Sequence, residues 1–231
     1  MVAVVLGRLT VVSRGKLVGW VGLVGVLAAL SYGANLADPG DPDRDILYRW
    51  STAIGGLIQY AVIAVIVLLI ARGLSPATLG LRRPASWRAA AGLLAASLVA
   101  VFAVGAILNQ FLEAGEEQGL VPEEWDAARA APFVANFAVV ALVAPIVEEL
   151  TYRGLGYAAV RDWLGATPAI VVTALAFGLA HGLVVALPIL MLFGAILAWL
   201  RQRTASLYPP IILHALFNGI ALIAAVTVEA G

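Results

Sequence analysis

Two histidines and a cluster of charged side chains lie in stretches of this chain that are otherwise apolar. His181 and His214 are the only histidines among 231 residues, and the segment VEELTYR places Glu148, Glu149 and Arg153 in a third apolar stretch. An ionisable side chain costs about 2.5–3.5 kcal/mol at the centre of a membrane helix on insertion scales. A chain that keeps five such groups therefore offers them as the first candidates for a functional site.

The two glutamates have different neighbours if their segment is helical. Their side chains point about 100° apart, and Arg153 follows Glu149 by four residues, on the same face. A buried carboxylate paired with arginine stays ionised and mainly holds structure, whereas one without a cation suits a general base. This assigns Glu149 and Arg153 to support and Glu148 to catalysis, with Tyr152, four residues later, available to orient it. Pro145 is expected to kink the helix and open room for water.

Each histidine has a partner one helical turn away. His181 follows Phe177 by four residues, although a single histidine on an apolar face is more often a packed core residue than a catalyst. Asn218 follows His214 by four residues, so that an imidazole and an amide project from one face. Such a pair can donate two hydrogen bonds to a developing oxyanion. With a carboxylate base and a water-activating histidine, this makes a hydrolytic set that needs no serine, cysteine or threonine nucleophile.

The composition places these residues in a membrane protein. Hydrophobic residues make up 62% and charged residues 12% of the chain, against about 25% charged in soluble proteins. At ~20 residues per crossing, the apolar runs predict an all-α, polytopic transmembrane helix bundle of about seven helices, with the catalytic core in the last four. The predicted spans are residues 17–37, 50–71, 89–112, 130–147, a hairpin of two within 163–200, and 204–228.

Helix lengths raise a question about whether the two histidines meet. If the fifth helix starts near Thr167, His181 lies ~21 Å along it, while His214 lies only ~10 Å into its own helix from the cytoplasmic side. The two side chains come together only if the hairpin ends below the outer surface of the membrane.

Charge distribution predicts the orientation in the cell membrane. Eleven of the 14 basic residues fall on the side of the amino terminus, and the acidic residues gather in two opposite loops, 38–45 and 113–126. By the positive-inside rule the amino terminus is cytoplasmic and, after seven spans, the carboxyl terminus lies outside. The 21-residue uncharged run from Leu17 favours a retained first helix over a cleaved signal peptide. A single lysine against 13 arginines points to a GC-rich, bacterial genome.

Three motifs occur in order along the later helices: EELTYR (EExxxR) from Glu148, FGLAH (FxxxH) ending at His181, and HALFN (HxxxN) from His214. With these motifs the chain resembles the CAAX protease and bacteriocin-processing enzyme family, also called the Abi or type II CAAX prenyl endopeptidase family. The resemblance implies an intramembrane endopeptidase that acts on membrane-associated protein or peptide substrates. It also divides the chain into amino-terminal helices, residues 1–132, and a protease core, residues 133–231.

The resemblance implies a role for each motif residue. The first glutamate and the FxxxH histidine activate the attacking water in the family, the HxxxN pair lines the oxyanion site, and the second glutamate and the arginine support the arrangement. The matching residues here are Glu148 with His181, His214 with Asn218, and Glu149 with Arg153.

The sequence leaves alternatives open for both the cofactor and the function. Family members are often labelled metalloproteases, and zinc bound by Glu148, His181 and His214 is the alternative here. The chain has no cysteine and its motifs differ from HExxH, so we favour a metal-free, glutamate-dependent reaction. A proton-coupled transporter and a non-enzymatic chaperone or immunity factor could use the same buried polar network, although no inverted repeat supports the transporter. We expect no nucleic-acid partner.

Overall fold

The computed structural model describes residues 11–37, 43–112, 117 and 125–227, and every regular element in these ranges is a helix. The predicted all-α class is confirmed. The outer-loop acids Asp38, Asp41, Glu113, Glu116, Glu123 and Glu124 lie outside the described residues. The helices are α1 Arg14–Ala37, α2 Trp50–Ala71, α3 Pro76–Leu79, α4 Trp87–Leu112, α5 Ala127–Leu164, α6 Ala166–Ala180, α7 Leu187–Thr204 and α8 Tyr208–Thr227.

Five of the described helices are long and apolar enough to cross a membrane, namely α1, α2, α4, α5 and α8. The remaining two long helices, α6 and α7, form the predicted hairpin with 15 and 18 residues. At 1.5 Å per residue α6 is about 22 Å long, which is shorter than the ~30 Å hydrocarbon layer. The count of seven crossings therefore stays a prediction.

The fourth predicted span continues well beyond residue 147. Helix α5 runs for 38 residues, and it carries Glu149 and Arg153 inside the bundle because Arg153 neutralises Glu149 within the same helix. Two π-helical segments, Val139–Val143 and Leu150–Gly156, flank the α-helical turn Ala144–Glu149. The predicted domain boundary after residue 132 falls inside α5 and remains a prediction.

Helix α5 lies at the centre of the bundle, in contact with α1, α2, α6 and α8. Its second π segment packs closely on α1, because Gly156 leaves room for the buried ring of Trp20. The indole Nε1 of Trp20 donates a hydrogen bond to the carbonyl oxygen of Thr151, 3.0 Å away. A side chain at position 156 would overlap the indole, so this glycine sets the distance between the two helices.

The two predicted outer loops meet at one end of the molecule. Arg129, at the start of α5, forms ion pairs with Asp45 and Asp126, and its guanidinium stacks over the ring of Tyr48. The hydrogen bond from Arg129 holds the pKa of the Asp126 carboxyl below its usual range. The α2 amino terminus and the α5 amino terminus therefore share one end, as the alternating-loop assignment requires.

Candidate active site

Glu149 and Arg153 form a fully buried ion pair. The guanidinium Nη1 donates to Glu149 Oε1 over 2.8 Å, and both side chains are 0% exposed. Nη2 donates to the carbonyl oxygen of Gly194 over 2.9 Å. Gly194 also lets α7 approach α6, because a Cβ there would lie 3.0 Å from Ala174 Cα and 3.2 Å from the guanidinium. The pair therefore ties α5 to the hairpin, and its supporting role stays a prediction.

Glu148 lies in a different environment from its neighbour. Its Oε1 accepts a hydrogen bond of 2.7 Å from the hydroxyl of Tyr60, on α2. Its Oε2 lies 3.8 Å from Nε2 of His214, and 15% of its side chain is exposed. Because Arg153 pairs with Glu149, the Glu148 carboxylate faces a phenol and an imidazole rather than a permanent cation.

His214 lies between the two glutamates. Its Nδ1 donates to Glu149 Oε1 over 3.0 Å, while its Nε2 faces Glu148. The ring is buried and packs edge-on against Phe177 and Phe193, with ring centroids 5.7 and 5.1 Å away. The first and third motifs are therefore in direct contact, through an imidazole that has one nitrogen toward each carboxylate.

His181 ends helix α6 as its carboxyl-terminal cap. Its Nδ1 lies 2.7 Å from the carbonyl oxygen of Phe177. A carbonyl can only accept, so Nδ1 carries the proton, and in the neutral ring the lone pair is on Nε2. The ring lies 4.5 Å from that of Phe177. This geometry leaves Nε2 of His181 available as a proton acceptor.

Phe177 connects the three motifs. Its buried ring contacts the rings of both His181 and His214, and Arg153 lies over it at 4.5 Å. Tyr152 packs edge-on against it at 5.4 Å. The two histidines, which helix lengths placed at different depths, thus both contact one aromatic ring.

Tyr60 is the residue at this site that the sequence did not reveal. The sequence suggested Tyr152 as the side chain that orients Glu148, but the phenol donor comes from Tyr60 on another helix. Tyr152 follows Glu148 across the beginning of the π segment at Leu150, where the helix widens and its side chains change direction. The only sequence signal for Tyr60 is a hydroxyl within an apolar span, where it needs a partner.

Asn218 contacts the wider turn of α5 that precedes Glu148. Its Nδ2 donates to the carbonyl oxygen of Val140 over 2.9 Å. In the π segment the Ala144 N–H donates to the carbonyl oxygen of Val139, five residues back. In the same pattern the carbonyl oxygen of Val140 would accept from the N–H of residue 145. Because Pro145 has no N–H, the carbonyl of Val140 lacks that partner, and Asn218 supplies one.

A catalytic zinc ion requires three protein ligands around one point. Within the part of the chain that the structure describes, no group of three or more His, Cys, Asp or Glu side chains is arranged to hold a metal ion. In the alternative ligand set Glu148 and His214 are in contact, and His181 contacts the Phe177 ring that also packs against His214. The metal-free reaction therefore stays a prediction, with zinc as its alternative.

Five described helices of membrane-spanning length, with the buried Glu149 and His214 side chains in contact between two of them, indicate a multi-pass membrane protein. Residues 130–220 match the protein family described as type II CAAX prenyl endopeptidase Rce1-like. The match contains all three motifs, and it confirms the family resemblance predicted from them. It implies a peptidase of the membrane. Comparison with curated proteins and with solved structures gave no match.

Proposed function

We propose that this protein is an intramembrane endopeptidase that hydrolyses peptide bonds of membrane-associated proteins or peptides. The contrast between the two adjacent glutamates carries the proposal. Glu149 is fully buried in an ion pair with Arg153, whereas Glu148 is partly exposed and accepts a hydrogen bond from the neutral phenol of Tyr60. A carboxylate of the second kind can bind a water molecule and accept its proton, which is what a general base requires.

The hydrolysis begins with the water. Glu148 takes one proton from it, and His181, with the lone pair of Nε2, accepts the second hydrogen bond that orients it. The water oxygen then forms a bond to the carbonyl carbon of the substrate, and the carbonyl becomes an oxyanion. When this intermediate collapses, the C–N bond breaks and Glu148 returns its proton to the leaving amine. One water is consumed, and one acid and one amine are formed.

His214 and Asn218 are the proposed donors to the oxyanion. The amide of Asn218 has two hydrogens, of which one binds Val140, so the other is free to donate. The Nδ1 proton of His214 binds Glu149, so His214 must be doubly protonated to donate from Nε2. Preorganised donors of this kind contribute about 2.7–4 kcal/mol each to transition-state stabilisation.

The proposed arrangement in the membrane has seven crossings, with the amino terminus in the cytoplasm and the carboxyl terminus outside. Its support is the excess of basic residues on one set of loops, together with the ion pairs of Arg129 that join the two acidic loops at one end. In this arrangement α6 and α7 enter and leave from the cytoplasmic side, with His181 at the turn between them.

A cleavage assay with purified protein tests the proposal. A membrane-tethered peptide library, tagged at both ends, is incubated in liposomes with the wild type or with Glu148→Gln, with and without a chelator. We expect the wild type to cleave, the variant to be inactive, and cleavage to survive the chelator. A wild type that cleaves nothing while it moves protons across the liposome membrane would show a transporter instead. Loss of cleavage with chelator would show a metal-dependent enzyme.

A further inference from the structure

The turn that carries His181 is held by side chains from the first helix. Ser31 Oγ donates to the carbonyl oxygen of Ala180 over 2.9 Å, and Asn35 Nδ2 donates to that of Gly182, also over 2.9 Å. These two carbonyls lie on either side of His181. Helix α1 is outside the segment that matches the protease family, so this contact joins a separate part of the chain to one motif.

The turn needs such donors because it follows the end of a helix. The last carbonyls of a helix have no partner within the helix, and a carbonyl left without a donor on burial costs free energy. The backbone at Gly182 is left-handed, with φ +72°, and a Cβ there would lie 2.7 Å from Ser31 Cβ. The turn therefore sits directly on α1, six residues before that helix ends at Ala37.

The backbone N–H groups of the turn are bound by a third part of the chain. Glu117 accepts hydrogen bonds from the backbone N–H groups of Val184, at 2.7 Å, and Ala186, at 2.8 Å. These N–H groups lead into α7, which begins at Leu187. The carbonyl groups around His181 thus bind α1, and the N–H groups after it bind Glu117.

We propose that Ser31 and Asn35 are positioning residues for His181, and that α1 thereby sets the place of the water-activating imidazole. This inference rests on the proposed function of His181. The two side chains do not touch the substrate. They fix the carbonyls of residues 180 and 182, and through them the backbone from which the imidazole projects.

The first test measures the rate constants of cleavage. Ser31→Ala and Asn35→Leu each remove one donor without adding a polar group to the membrane. We expect kcat to fall roughly tenfold with KM little changed, because a displaced catalytic group costs rate rather than binding. Asn35→Gln keeps an amide donor and should recover part of the loss. Tyr32→Phe is the matched control, since its hydroxyl lies 3.5 Å from the Leu183 carbonyl and its loss should matter little.

The second test does not depend on activity. Backbone hydrogen–deuterium exchange in the Asn35→Leu variant should accelerate in the peptide covering residues 178–187 and stay unchanged in the peptide covering residues 144–156. Unchanged exchange around His181, or an equal increase in both peptides, would overturn the positioning role.

The two measurements separate the possible failures. A wild type that cleaves no substrate contradicts the proposed function, while the exchange experiment still decides whether α1 holds the turn. Normal kcat in both Ser31→Ala and Asn35→Leu, in an enzyme that does cleave, contradicts the positioning role alone.

Discussion

The Nδ1 atom of His214 lies 3.0 Å from Oε1 of Glu149, and both side chains are buried. A carboxylate in this position fixes the tautomer and the orientation of an imidazole, as the aspartate of a catalytic triad does. It directs Nε2 of His214 toward Glu148, 3.8 Å away. Glu149 therefore does more than neutralise Arg153, because it also connects that ion pair to the face of the site where Glu148 lies.

Substitutions of the two glutamates should differ in their effect on stability. Glu148→Gln should abolish cleavage without loss of stability, whereas Glu149→Gln should destabilise the fold. Glu148→Gln is isosteric at a partly exposed position, so we expect a nearly unchanged free energy of unfolding and no cleavage. Glu149→Gln leaves the Arg153 guanidinium buried without its counter-ion, which costs about 3–5 kcal/mol. Denaturant unfolding in detergent, followed by tryptophan fluorescence, measures both. Equal destabilisation by the two variants would favour a structural polar network, as in a chaperone or immunity factor.

Removing the hydroxyl of Tyr60 should slow cleavage. The phenol fixes Oε1 of Glu148 over 2.7 Å, so Tyr60→Phe leaves the carboxylate free to rotate, and we expect kcat to fall roughly tenfold with KM little changed. Tyr152→Phe is the matched control, because Tyr152 packs edge-on against Phe177 through its ring, which phenylalanine keeps. Comparable losses in both variants, or a larger loss with Tyr152→Phe, would contradict the assignment of Tyr60.

A methyl group at position 156 should destabilise the bundle. The Cβ of Gly156→Ala would overlap the indole of Trp20, which is buried and also binds the Thr151 carbonyl. Overpacking of this kind costs about 1–3 kcal/mol. Gly22→Ala is the control, because its Cβ would meet nothing within 4 Å. Thermal unfolding in detergent should show a lower Tm for the first variant only. An unchanged Tm for Gly156→Ala would mean that α1 packs less closely on α5.

The sequence predicted local features of the site better than contacts between helices. The α2 boundaries, and the pairing of Glu149 with Arg153, follow from hydropathy and from a spacing of four residues, and both recur in the structure. The contact between Tyr60 and Glu148 joins residues 88 positions apart, and it depends on how α2 is rotated against α5. Hydropathy does not determine that rotation when both helices are apolar on most sides.

The continuation of α5 beyond residue 147 was not predictable from the sequence for a related reason. Charged residues after position 147 indicated the end of a span, but the ion pair between Glu149 and Arg153 lets the helix continue. The sequence also predicts a kink at Pro145. In the structure Pro145 follows a π-helical turn, and the backbone acceptor that this leaves without an intrahelical donor is bound by Asn218, 78 residues from Val140.

The relation between Pro145 and Asn218 can be tested with a double-mutant cycle. Asn218→Leu leaves the carbonyl of Val140 buried without its donor and should cost about 1–3 kcal/mol in the free energy of unfolding. Pro145→Ala restores a backbone N–H five residues after Val140. The double variant should therefore lose less stability than the sum of the single variants, with a coupling energy of about 0.5–3 kcal/mol.

Cleavage by the same variants separates the structural contribution of Asn218 from its chemical one. The backbone N–H restored by Pro145→Ala can bind the Val140 carbonyl, but it does not replace the second amide hydrogen that we assign to the oxyanion. We therefore expect the double variant to regain stability while its kcat stays as low as that of Asn218→Leu. Additive free energies would show that Pro145 is not the reason for the contact. Recovery of kcat along with stability would show that Asn218 acts on the reaction only by holding α5 in place.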